Sequence, residues 1–154
     1  MQEKQKDSST LLSLTGKLLL IHLLFILITP LILHIRYFSA VLTLCYLLVL
    51  FIIGFRHTQD LNISPLKVLA AGYFSQLPGI IPSIFVLIKK LLPFPTVVFE
   101  FLVQIWQTPF YPVYPLLPRT SIADIPLYFM LNLIVSMIIP LLPAAGAYAA
   151  KSKK

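Results

Sequence analysis

Two long apolar runs follow each other near the start of the chain, and a single charge separates them. They cover residues 18–35 and 37–55, with Arg36 between them. Each is close to the roughly 20 residues that a helix needs to cross a hydrocarbon core of about 30 Å. One continuous helix over both would be about 57 Å long and would hold Arg36 near its centre, where a charge is costly. The pattern therefore predicts two membrane-spanning helices that form a hairpin.

A cleaved signal peptide is the alternative interpretation of the first run. Lys17 precedes an apolar stretch of suitable polarity, and the small residues Ser39 and Ala40 follow it. However, His34 and Arg36 interrupt the approach to that cleavage site, and the next apolar run begins at once. This arrangement favours the hairpin.

A third span is predicted over about 66–88, and it carries a stripe of small residues. Ser64 is a suitable N-cap, and Pro65 fits the first helical turn without losing a needed donor. Small side chains recur every four residues along this span and share one helical face: Ala71, Ser75, Gly79 and Ser83. In lipid, such a face lets another backbone approach closely, so we predict that it is a helix-packing face.

Pro78 and Pro82 lie within this third span and predict a kink or a local break near residues 77–83. A broken helix leaves a second topology open, in which 66–88 enters the membrane and returns on the same side. Residues 91–108 would then have to cross, and Glu100 would be buried in the membrane.

The fourth span is predicted over about 125–148, with Asp124 as its N-cap. A mildly polar stripe runs along it at four-residue intervals: Tyr128, Asn132, Ser136 and Pro140. We predict that this stripe faces the interior of a compact bundle or a partner.

Between the third and fourth spans, residues about 96–108 have the pattern of an amphipathic helix. Polar side chains share one face, and apolar side chains cover the rest; the polar face consists of Thr96, Glu100, Gln104 and Gln107. At about 20 Å this helix is short for a span. We therefore predict an interfacial helix within an outer segment, 89–124, with Trp106 at headgroup depth.

The residues after this helix, 110–118, have a proline at every third position, at 112, 115 and 118. This spacing favours polyproline II backbone.

Composition and charge agree with a membrane protein. Apolar residues make up 58% of the chain and charged residues 11%, and the mean hydropathy is +0.92. A soluble domain uses roughly a quarter of its residues as charged ones. We predict an all-α integral membrane protein with a cytoplasmic N-terminal segment (1–16), one transmembrane helical domain (17–150) and a basic cytoplasmic tail (151–154).

The cations predict orientation. With four spans, eight of the twelve lysines and arginines lie on the side of the two termini, at positions 4, 6, 17, 56, 67, 151, 153 and 154. The positive-inside rule makes that side cytoplasmic, which predicts a multi-pass protein of the plasma membrane. The net charge of +7 does not indicate nucleic acid as a partner, because the cations are scattered at helix ends.

Residue types that carry chemistry are few. The five carboxylates form no pair, and His22, His34 and His57 are expected at different depths. Cys45 is the only cysteine, and no phosphate-binding or hydrolase motif is present. The sequence therefore predicts no enzyme activity, no cofactor and no metal site.

Three functions fit these features. The first is a non-enzymatic accessory, assembly or scaffold subunit that binds membrane lipids and another membrane protein or its own copies. The second is a homo-oligomeric transporter or channel component that uses the broken third helix. The third is a lipid-handling or membrane-shaping protein. The candidate partner face or polar pathway comprises Glu100, Gln104, Asn132 and Ser136.

Overall fold

The computed structural model describes residues 2–88, 97–116, 118, 120–122 and 125–152. Within them the helices are α1 (Gln2–Ile32), α2 (Arg36–Leu61), α3 (Pro65–Leu87), α4 (Val97–Trp106), α5 (Leu127–Ile138) and α6 (Leu141–Ser152). Two-residue strands, β1 (Ser121–Ile122) and β2 (Ile125–Pro126), pair antiparallel before α5. In the part of the chain that the structure describes, four stretches are long and apolar enough to cross a membrane: Ser9–Ile32, Ala40–Leu61, Pro65–Leu87 and Leu127–Ser152. The predicted all-α membrane fold is confirmed.

Two turns define the ends of the bundle. We call the end with the α1–α2 turn, residues 33–35, the upper end, and the end with the α2–α3 turn, residues 62–64, the lower end. In the lower turn Asn62 has a φ of 50°, a left-handed conformation that asparagine tolerates. The Ser64 hydroxyl accepts a hydrogen bond from the Lys67 backbone N–H at 3.4 Å, which confirms the predicted N-cap.

Helix α1 begins before the predicted first span, because it continues through Lys17. Leu14 and Leu18 lie on the same side of the helix and are both buried in the core, so the packed part of α1 extends below the charge. His22, expected near one end of the span, is fully buried in the bundle.

Helix α3 is continuous, so of the predicted kink or local break near its prolines the break is wrong. Pro78 and Pro82 both lie inside a single helix. Its buried face continues on both sides of them, through Ser75 before and Val86 after, so tertiary packing outweighs the backbone hydrogen bonds that proline removes. The topology in which 66–88 turns back at the prolines is therefore also contradicted.

The break lies instead in the fourth span. Helix α5 ends at Ile138, and α6 begins at Leu141 after a turn at Ile139 and Pro140. The α5 N-cap is Pro126, without a side-chain hydrogen bond. The predicted cap, Asp124, lies outside the described residues.

Helix α4 runs alongside the upper half of α3, in the opposite direction. Phe99, near its start, stacks on Phe85 with ring centroids 4.6 Å apart, and Trp106, at its end, covers Gly79. Trp106 is only 7% exposed, so its indole packs inside the bundle. The interfacial location of α4 stays a prediction.

Short 3-10 turns follow α4, where the proline spacing favoured polyproline II. Their amides donate within the segment, from Phe110 to Gln107 O at 2.7 Å and from Val113 to Phe110 O at 2.9 Å. Polyproline II would leave these groups without internal partners. At the start of the segment Thr108 and Pro109 are buried, where unpaired backbone groups would be costly. The segment also contacts α2, because the Thr43 hydroxyl donates to Pro109 O at 2.7 Å.

Two groups of buried apolar side chains hold the bundle together. The larger one joins α1, α2, α3 and α6, and the smaller one joins α3, α4 and α5 through Val86, Val103 and Phe129. Helices α2 and α6 approach closely because glycines face backbone atoms, with Gly54 against Pro143 and Gly146 against Phe51.

Candidate functional site

Four side chains from four helices form a closed ring of hydrogen bonds inside the bundle. His22 Nδ1 lies 2.6 Å from the Tyr46 hydroxyl oxygen, and His22 Nε2 lies 3.1 Å from Trp106 O. Trp106 Nε1 donates to Gln76 Oε1 at 3.0 Å, and the Gln76 amide donates to the Tyr46 hydroxyl. We call these residues, His22, Tyr46, Gln76 and Trp106, the central polar ring.

The partners fix the direction of each bond in the central polar ring. A carbonyl oxygen only accepts, so His22 Nε2 carries the hydrogen. Nδ1 of the neutral imidazole then accepts the hydroxyl hydrogen of Tyr46. Each side chain therefore both donates and accepts within the ring, counting the Trp106 main-chain carbonyl. This arrangement satisfies polar groups that would be costly to bury alone.

The central polar ring lies at mid-span depth. Gln76 is the midpoint of α3, and His22 and Tyr46 lie well inside their own spans. The ten residues of α4 advance about 15 Å, half the thickness of the hydrocarbon core. Helix α4 is thus a half-length helix whose C-terminal end, at Trp106, reaches the middle of the bundle.

The predicted small-residue stripe forms a packing face within the chain. Its four members, Ala71, Ser75, Gly79 and Ser83, are all buried. The Trp106 indole occupies the space above Gly79, where a Cβ atom would collide with it. The groove that the sequence offered to a neighbouring helix is therefore filled from within this chain, by Trp106 of α4 at Gly79 and by Asn132 of α5 at Ser83.

The predicted polar face is divided between two places. Asn132 and Ser136 of α5 are buried, and Asn132 Nδ2 donates to Ser83 Oγ at 2.6 Å. Glu100 and Gln104 lie on α4, where Glu100 is half-buried and Gln104 is exposed. The four residues thus lie as two pairs, Asn132 with Ser136 on α5 and Glu100 with Gln104 on α4, and do not form one polar face.

The outward side of α4 is a nearly continuous apolar surface with one amide in it. The exposed apolar side chains of α4 are Val97, Val98, Phe101, Leu102 and Ile105. We call these five residues together with Gln104 the α4 outer face. Phe101 is 60% exposed. Glu100 lies one turn above Gln104 at the edge of this face.

The central polar ring was missed by reasoning from sequence. Tyr46 and Gln76 are polar residues inside apolar spans, but no local pattern connects them with His22 or with each other. A polar residue near the middle of each of three spans was the available signal. Only the packing of the helices shows that they meet.

The described residues contain no group of three or more His, Cys, Asp or Glu side chains that could hold a metal ion. The central polar ring is neutral and enclosed by aromatic rings, with His22 and Trp106 centroids 4.1 Å apart. Its hydrogen bonds join helices α1, α2, α3 and α4 to one another.

No protein-family profile, curated protein or solved structure matches this chain.

Proposed function

We propose that the protein is a non-enzymatic accessory, assembly or scaffold subunit of a membrane complex. The α4 outer face carries this proposal. On that interpretation, the face receives a membrane-spanning helix of another protein.

The position of Gln104 supports this interpretation. It lies about 10 Å along α4 from Val97, and its exposed amide projects among apolar neighbours. On this proposal, the face lies at membrane depth. An amide in hydrocarbon is costly, and in membrane proteins such groups commonly form hydrogen bonds between helices. A partner helix with a hydroxyl or amide side chain at this depth would satisfy it, while its apolar side chains pack on Phe101 and Ile105.

Photo-crosslinking of the full chain in its native membrane tests this proposal. A photoreactive amino acid replaces Phe101 on the α4 outer face or Leu48 on the outer side of α2, two positions that are each 60% exposed. We expect position 101 to give a discrete adduct with one other membrane protein and position 48 to give lipid adducts. Gln104→Leu should reduce the protein adduct several-fold.

Lipid adducts alone at position 101 would contradict the accessory role, and adducts only between copies of the chain would favour a homo-oligomer. The transporter alternative lost its main sequence support when α3 proved continuous. Measurement of proton and cation flux in liposomes tests the transporter alternative. If the wild type shows flux and Glu100→Gln abolishes it, Glu100 is a pathway residue.

A further inference from the structure

An open cavity of about 550 Å³ lies at the lower end of the bundle, far from α4. Its walls come from the lower parts of α1, α2, α3 and α6. The residues that matter for its chemistry are Thr10, Leu14, Asp60, Ser64, Lys67 and Lys151. Its volume falls within the range of about 300–1,000 Å³ that is usual for small-ligand sites.

The cavity lies at the lower end of the bundle, beside the turn between α2 and α3. Helix α2 ends there at Leu61, α3 begins there at Pro65, and Lys151 lies in the last turn of α6. Leu14, only 1% exposed, forms part of its apolar floor, while Lys67 and Lys151 are exposed at its mouth. A ligand there would therefore contact polar groups on one side and the beginning of the hydrocarbon on the other.

The charges of the lining favour an anion. Lys67 and Lys151 contribute two positive charges, and Asp60 contributes one negative charge. The first turn of α3 adds partial positive charge from its dipole, and the last turns of α2 and α6 add partial negative charge. The two lysines are therefore the groups that attract an anion. Asp60 can accept hydrogen bonds from hydroxyl groups of the ligand.

We propose that this cavity binds the phosphate-bearing headgroup of an anionic phospholipid. Lys67 and Lys151 contact the phosphate, Asp60 accepts from headgroup hydroxyls, and the acyl chains leave along the apolar side near Leu14. Basic pockets between membrane helices are a known mode of headgroup recognition. The proposal does not depend on the α4 outer face.

Lipid titrations of the full-length protein in detergent micelles test this site. The probes are dioleoyl phosphatidylglycerol, dioleoyl phosphatidylcholine with the same chains, and soluble glycerol phosphate. The midpoint of thermal unfolding, followed by circular dichroism, gives the apparent affinity through ligand stabilisation. We expect phosphatidylglycerol to raise the midpoint more than phosphatidylcholine, and glycerol phosphate to leave it unchanged.

Lys67→Gln combined with Lys151→Gln should weaken phosphatidylglycerol binding about thirtyfold. The control, Lys17→Gln with Arg56→Gln, removes the same charge from exposed positions outside the cavity lining. Lys151→Gln alone, near the end of α6, provides a second variant if the double variant fails to fold. Equal losses in variant and control, or no loss in either, would overturn the proposal. Stabilisation by glycerol phosphate as strong as that by the lipid would overturn a lipid site in favour of a soluble phosphate compound.

Discussion

At the scale of single residues, the central polar ring shows how a few polar side chains connect four helices. Helix packing in lipid gains little from the hydrophobic effect, so close packing and hydrogen bonds between helices carry more weight. Tyr46 is central to this arrangement because it is fully buried and bonds to both His22 and Gln76. The ring therefore fixes which helices are neighbours and at which level they meet.

Tyr46→Phe should destabilise the protein by about 1 kcal/mol, because it leaves His22 Nδ1 buried without its donor. The measurement is unfolding in mixed detergent micelles, followed by the fluorescence of Trp106, the only tryptophan. Tyr148→Phe is the matched control, since Tyr148 is 71% exposed and the same hydroxyl is removed. If both variants unfold at the wild-type midpoint, the ring contributes nothing measurable to stability.

At the scale of secondary-structure elements, glycines decide how closely helices approach. Gly79 admits the Trp106 indole between α3 and α4, and Gly54 admits the backbone of α6 at Pro143. Spacing along α3 identified the first of these positions, although it suggested contact with another chain. Gly54 belongs to no small-residue stripe in the sequence, yet it makes an equally close contact.

Gly79→Ala should destabilise the protein by about 1–3 kcal/mol, because the new methyl group collides with the Trp106 side chain and strains its bond to Gln76. Gly16→Ala is the control, because none of the described atoms lies within 4 Å of a Cβ built there. Alanine favours the helix over glycine, so the control should be neutral or stabilising by up to about 1 kcal/mol. Detergent unfolding and the Trp106 emission maximum distinguish the two. Gly79→Ala with wild-type stability and emission would show that the indole does not occupy this space.

At the scale of the whole molecule, the even number of spans places both termini at one end of the bundle. The continuous α3 removes the topology in which this segment turned back. The half-length α4 does not change the number of crossings, since α5 begins again near the upper end, where Asn132 bonds to Ser83. The cytoplasmic location of the termini stays a prediction from the distribution of cations.

Cysteine labelling in intact cells tests the orientation. In a Cys45→Ala background, Leu116→Cys at the upper end should react with a membrane-impermeant maleimide. Ser152→Cys at the lower end should react only after the membrane is opened. Leu116 is 82% exposed and Ser152 is also exposed, so both thiols are accessible on their own side. The reverse pattern would place the termini outside.

The sequence by itself determined the medium, the number of spans and the members of the small-residue stripe, because hydrophobic length and helical periodicity are local properties. It also determined the N-cap at Ser64, which depends on neighbouring residues alone. Only the tertiary structure decided that α3 stays continuous through Pro78 and Pro82, since packing on its buried face outweighs a local cost. In the same way, the burial of His22 and of Trp106 depends on contacts between residues far apart in the chain, which no local pattern contains.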